Sequence, residues 1–285
     1  MTSKVYNLIT WFWHKILRHP IRMQSVFDNH ITDPDLTVIF LHGIAAESAT
    51  WRAVFHEISQ DHSLQNVRLV ALDLLGFGKS LHAGWLDYDY YDYITAINHT
   101  IKHLKISSPV VLVGHSMGAL IAANYATSSR ASIKPLSLIL VSPPVLLADE
   151  LAHLPDKIYT KTYGSLHQFA KEVPAAETLA HFIQRFSSFR SNYLKAPSFQ
   201  KSMDNIILNH DNYKTFTNLK VPTLLLHGHF DPLVLGANLR LVAKNNPHYV
   251  TYQSVIGHHD ISVGKRVKII AEIKKGLKDA KAATL

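Results

Sequence analysis

Gly114-His115-Ser116-Met117-Gly118 sets a serine between two glycines, directly after the apolar run 109–113 and directly before a helix-forming stretch that begins near Ala119. A serine at such a strand-to-helix turn can act as a nucleophile. The turn is too sharp for side chains at its first and last positions, and the strained middle residue presents its hydroxyl. The helix that follows places partial positive charge beneath it. A serine hydroxyl attacks poorly until a base takes its proton, so the motif calls for a histidine and an acid to orient it. Asp231, in His227-Gly228-His229-Phe230-Asp231-Pro232, stands just past the run 221–226, and His258, in Gly257-His258, follows the run 248–253. His259 is the adjacent rival, but that position is expected to be turning into the last helix already, with Asp260 as its N-cap. Asp149 and Glu150, beyond the run 136–141, form the alternative acid. An oxyanion made by attack on a carbonyl needs N–H donors. The backbone of Met117 is one; the other is expected from Ile44, in the loop after 36–41, where Gly43 permits a close approach and His42 reads as structural.

The elements that must hold these residues are legible as a rhythm. The runs 36–41 (LTVIFL), 67–72 (VRLVAL), 109–113 (PVVLV), 136–141 (LSLILV), 221–226 (VPTLLL) and 248–253 (HYVTYQ) alternate with helical patterns near 50–60, 87–105, 117–129 and 235–245. Continuously apolar strands are covered on both faces, so the alternation predicts a doubly wound, mostly parallel α/β sheet. A further edge strand falls near 21–27. Between 141 and 221 no strand-like run occurs, and Tyr159, Tyr163, Phe169, Phe182, Phe186, Phe189, Tyr193 and Phe199 crowd the interval. That predicts an inserted helical lid. The expected divisions are an N-terminal amphipathic segment 1–30, a core 31–146, a lid 147–216 and the rest of the core 217–285.

Leu41-His42-Gly43, Asp73-Leu74-Leu75-Gly76-Phe77-Gly78-Lys79-Ser80, the serine motif, Gly228-His229-Phe230-Asp231 and Gly257-His258 together resemble the successive signatures of the α/β-hydrolase family, over about 36–120 and 220–262. Carried over residue by residue, the resemblance implies Ser116 as nucleophile, Asp231 as acid and His258 as base, with Ile44 and Met117 lining the oxyanion hole. It implies a structural role for Asp73 and its glycine-rich loop. Serine stands where haloalkane dehalogenases and epoxide hydrolases carry aspartate, which argues against both chemistries. His-Gly-Ile replaces the His-Gly-Gly-Gly of some lipases and esterases, which disfavours that subgroup. The implied activity is hydrolysis of a small-molecule carboxylic ester with a sizeable apolar group, through an acyl-enzyme on Ser116. The same triad would serve a carbon–carbon bond hydrolase of a β-diketone-like metabolite or an amidase, and the fold also serves non-catalytic ligand binders.

Composition narrows the rest. Nearly half of the 285 residues are hydrophobic, which suits a globular chain, and without cysteine there is no thiolate or disulfide chemistry. No HExxH-type spacing occurs among the 19 histidines, so neither a metal nor any other cofactor is expected. The net charge of +8 is spread along the chain apart from the tail 265–281, where Val267, Ile270, Ile273 and Leu277 recur at helical spacing. This reads as a docked terminal helix rather than a nucleic-acid site. Residues 5–18 (VYNLITWFWHKILR) place Val5, Leu8, Ile9, Phe12, Trp13 and Ile16 on one arc of a helix and Asn7, Thr10, His14 and Arg18 on the other. They are too short and polar to span a bilayer and lack the features of a cleaved leader. The expectation is a cytoplasmic protein whose first helix either packs its apolar arc on the body or lies in a membrane interface.

Overall fold

The computed structural model describes residues 2–147, 157–158, 161 and 189–283. Six strands run parallel: β2 (Leu36–Leu41), β3 (Val67–Asp73), β4 (Val110–His115), β5 (Ser137–Val141), β6 (Thr223–Gly228) and β7 (Val250–Val255). The edge strand β1 (Gln24–Asp28) lies antiparallel on β3, giving the order β1-β3-β2-β4-β5-β6-β7. The strand order turns around between β2 and β4, and ligands of such sheets sit at the carboxyl ends of the strands there.

Side chains alternate along each buried strand and so feed two cores. Leu36, Val38 and Phe40 of β2 meet Trp51, Phe55, Ile269 and Ile273 on one face; Ile39 and Leu41 meet Tyr93, Ile97, Leu120 and Tyr125 on the other. These partners belong to α2 (Arg52–Ser59) and the turn before it, α3 (Tyr90–His103), α4 (Met117–Thr127) and the last helix. The strands beginning at prolines start one or two residues later than the apolar runs. Pro109 and Pro222 accept ladder bonds from Thr37 and Leu138 through their carbonyls but have no N–H to donate.

After β5 the described residues carry no strand until β6. Within the interval expected to form the lid, α5 (Pro197–Ser202) runs on into a wider turn over Met203–Leu208, and α6 (Asn212–Thr217) follows. Tyr159, Tyr163, Phe169, Phe182 and Phe186 lie outside the described residues. The other three aromatics build packing: Phe199 and Tyr193 are buried, and Phe189 meets Phe199 edge-on. The Tyr193 hydroxyl accepts from the Gly78 N–H and donates to Glu47. Beyond α7 (Gly236–Asn245), the chain ends in α8 (Val263–Ala282), whose inward stripe is Lys265, Ile269, Ile273, Gly276, Leu277 and Ala280. Val267, expected on that stripe, is 57% exposed, and a lysine takes the inward position nearest the site.

The first helix also departs from expectation. In α1 (Ser3–Trp11), continued by a wider turn over Phe12–Ile16, no side chain is buried. The polar arc, not the apolar one, faces the body: Asn7 accepts from the Gly84 N–H, and Thr10 accepts from the Trp85 indole. Both partners sit in a half-buried loop and offer hydrogen-bonding groups to the helix.

Candidate active site

Ser116 joins β4 to α4 with φ 53° and ψ −121°, a conformation that a non-glycine residue adopts only under constraint. Its N–H donates to the Val141 carbonyl at the end of β5. The two glycines of the motif are needed against different neighbours. A Cβ on Gly114 would lie 2.5 Å from the Gly118 carbonyl oxygen, across the turn, whereas one on Gly118 would lie 2.4 Å from the Leu41 and His42 carbonyl oxygens at the end of β2. The elbow is therefore pressed against the strand that leads to the Ile44 loop. A Cβ on Gly43 would stand only 3.1 Å from the Ser116 Cβ. The loop is fixed by His42, whose Nε2 accepts from the Leu74 N–H while its Nδ1 donates to the Gly43 carbonyl. Burial pushes the His42 pKa down, which keeps this neutral tautomer. Asp73 is structural as well: its carboxylate accepts from the Ser48 and Lys79 N–H groups, and Gly78, at φ 54°, leaves room for it.

Asp231 is buried in the turn after β6, but its partner is His259. The His259 Nδ1 donates to the carboxylate at 2.9 and 3.0 Å, with both side chains almost completely buried. His258, the histidine expected there, is exposed, and its Nδ1 donates to the Phe230 carbonyl. The reason lies in where α8 begins. The helix starts at Val263, led in by Ser262 rather than Asp260, so His259 is still in the loop and its side chain turns inward. Gly228 sets the register of that loop: a Cβ there would be 2.2 Å from the His258 carbonyl oxygen, so the 257–258 backbone lies flat on the end of β6. His115 ties the same loop to the elbow. Its Nε2 donates to the His259 carbonyl at 3.0 Å, and the two rings stand 4.9 Å apart. Burial, followed by the charge of nearby His259 and Lys265, pushes His115 well below the ordinary histidine range, so it serves as a neutral strut.

A sequence model of the family described as "Serine aminopeptidase, S33" matches residues 32–257. The chain belongs to this family of α/β-hydrolases. Among curated proteins, this S33 member is 32% identical over 127 residues to "Probable lysophospholipase BODYGUARD 3" of Arabidopsis thaliana, a match covering 44% of the chain and 24% of that protein. It is 21% identical to the "Pimeloyl-[acyl-carrier protein] methyl ester esterase" of Legionella pneumophila (strain Corby), over 75% of the chain and 83% of the enzyme. The chain matches between 24% and 31% of the length of the BODYGUARD relatives it matches first. Among solved structures, the esterase EaEST of Exiguobacterium antarcticum superposes with a TM-score of 0.69 at 19% identity, over 91% of this chain and all of that one. That likeness concerns the fold.

One residue of this S33 member's site went unread in the sequence. Lys265, at the start of α8, is completely buried and gives its ammonium protons to the Ser142 hydroxyl and to the His258 and His259 carbonyls, at 2.7–2.9 Å. It binds the histidine loop to the end of β5. Burial depresses its pKa to about 8, opposed by Asp231 and Asp260. On Asp231 burial acts upward, but His259, Lys265 and the Leu233 N–H outweigh it and hold the carboxylate far below its usual range. The signal for Lys265 was present in the i, i+4, i+8 spacing to Ile269 and Ile273. A helix wheel centred on Val267 hid it. Ile44 is half-buried in the loop after β2, next to Gly43, and Met117 opens α4, completely buried.

Proposed function

We propose that this protein is a serine hydrolase that cleaves a carboxylic ester carrying a sizeable apolar group. The observation that supports this most is the buried Asp231–His259 pair, tied through His115 to the strained strand-to-helix turn that holds Ser116. His259 replaces His258 as the base, because its Nδ1 is committed to Asp231 and its Nε2 is the ring atom left for the Ser116 proton. Ser116 Oγ attacks the ester carbonyl carbon as Nε2 takes its proton. The oxyanion accepts from the Ile44 and Met117 N–H groups, each worth about 3–4 kcal/mol of transition-state stabilisation. Collapse expels the alcohol, which takes the proton from His259. Water then gives a proton to His259 as it attacks the acyl-enzyme, and the carboxylic acid leaves as Ser116 is restored. Asp231 orients the imidazole throughout. The names of the relatives agree in kind, since a lysophospholipase and a methyl ester esterase both cleave carboxylic esters.

A fluorophosphonate probe should label the wild type stoichiometrically and leave Ser116→Ala unlabelled. Turnover should be fastest for medium-chain esters in a panel running from acetyl to dodecanoyl, with a β-diketone and an aminoacyl amide alongside. Labelling that survives Ser116→Ala removes the nucleophile assignment, and faster cleavage of the amide or diketone removes the ester.

A further inference from the structure

We infer that the outer face of α1 and the turn that follows it docks onto an anionic lipid bilayer. Eight of the sixteen exposed large apolar side chains among the described residues fall between Val5 and Leu17, including Leu8 at 66%, Ile9 at 52% and Phe12 at 49%. The helix is inverted relative to an ordinary docked one. Its polar residues Asn7 and Thr10 are spent on the body, while its apolar arc meets the solvent. Water opposes so large a contiguous apolar face unless something covers it. The charge of the segment selects the cover. Residues 1–27 hold no acidic side chain but carry Lys4, Lys15, Arg18 and Arg22, of which Lys15 lies over the Trp85 ring and Arg22 meets His103. A second copy would set these cations against each other, whereas anionic headgroups would neutralise them as Trp11, Phe12 and Trp13 enter the interfacial layer. The helix rests on Gly84 and Trp85, in the loop leaving the carboxyl end of β3, and Ser116 leaves the carboxyl end of the parallel β4. A bilayer bound there lies along the edge of the sheet that carries Ser116.

The test is flotation of the full chain with vesicles of phosphatidylcholine alone and of phosphatidylcholine with phosphatidylglycerol. The wild type is expected to float with the anionic vesicles and to bind neutral ones far less. Phe12→Glu combined with Trp13→Glu should lower the anionic partition by about a hundredfold or more, because two ring side chains lose their apolar transfer. Its melting temperature should not change, since both rings are half-exposed in the folded chain. Ser116→Ala should float as the wild type does, which separates docking from catalysis. No binding to either vesicle, or binding that survives the double substitution, overturns the inference. So does a dimer in sedimentation that the same substitution dissociates, because the cover would then be a second copy.

Discussion

Replacing Lys265 by methionine keeps an unbranched stem and removes the ammonium. The Ser142 hydroxyl and the part-buried His258 carbonyl then lose this donor, while the His259 carbonyl keeps the bond from His115. An unsatisfied buried polar group costs about 1–3 kcal/mol, so the loss over these two acceptors is about 2–6 kcal/mol before any offset. The offset is the charge itself. Burial holds the lysine at about 8 against an unfolded value of 10.5, which at neutral pH amounts to about 3 kcal/mol of opposition to folding. The net expectation at pH 7.5 is a stability change between near zero and a loss of about 3 kcal/mol. The pH dependence is the sharper measurement. Between about pH 8 and 10.5 the unfolded chain holds this proton more tightly than the folded one, so wild-type stability contributed by Lys265 rises with pH as the penalty is relieved. The variant lacks that rise. The gap between the two in urea unfolding should therefore widen by about 2 kcal/mol from pH 7.5 to 9.5. Tyrosines such as Tyr88 and Tyr93, pushed upward by burial, act alike on both proteins and cancel. A gap that stays level or narrows over this interval would falsify the view that Lys265 is folded as a buried cation.

His259→Asn should lower kcat by on the order of 10⁶, while His258→Asn should keep activity within a few-fold; damage from the second variant alone returns the base to His258. Gly43→Val should slow ester turnover by about a hundredfold, because its Cβ would press on Ser116 Cβ at 3.1 Å and on His115 Nδ1 at 3.2 Å; unchanged kinetics would mean that this loop does not touch the chemistry. The Asp231 carboxyl is held below its unfolded value of 3.8, so the stability it brings is present above that pH and is lost as pH falls through and below it. Asp231→Asn should accordingly be most damaging near neutrality, with the difference from wild type shrinking in acid unfolding below about pH 4; a constant difference would contradict the ion pair.

The sheet was legible because five of its strands, β2 to β6, are continuously apolar, whereas the edge strand was only weakly marked. The strand-end places of Ser116 and Asp231 were legible because each follows a strand closely enough for its position to be counted. His259 was not, since choosing between adjacent histidines needs the start of α8 to within a residue, and helix ends are where periodicity says least. Lys265 was missed for a related reason: a lysine within a charged tail looks solvated, and only its three acceptors explain its burial. The first helix shows the limit of a helical wheel. The wheel identified two arcs without saying which one the body would hold, and hydrogen bonds to Gly84 and Trp85 decided for the polar one.

The lysine clamp has a consequence for how the molecule comes into being. The elbow serine is flanked by strands translated early, but His115 waits for a carbonyl 144 positions further on, and Ser142 waits 123 positions for its ammonium partner. Contacts of such separation are closed late, after the entropy of long loops has been overcome. A nascent chain thus carries Ser116 for most of translation without the His259 loop in place. The elbow and the histidine loop are joined only once the last helix is docked on the sheet.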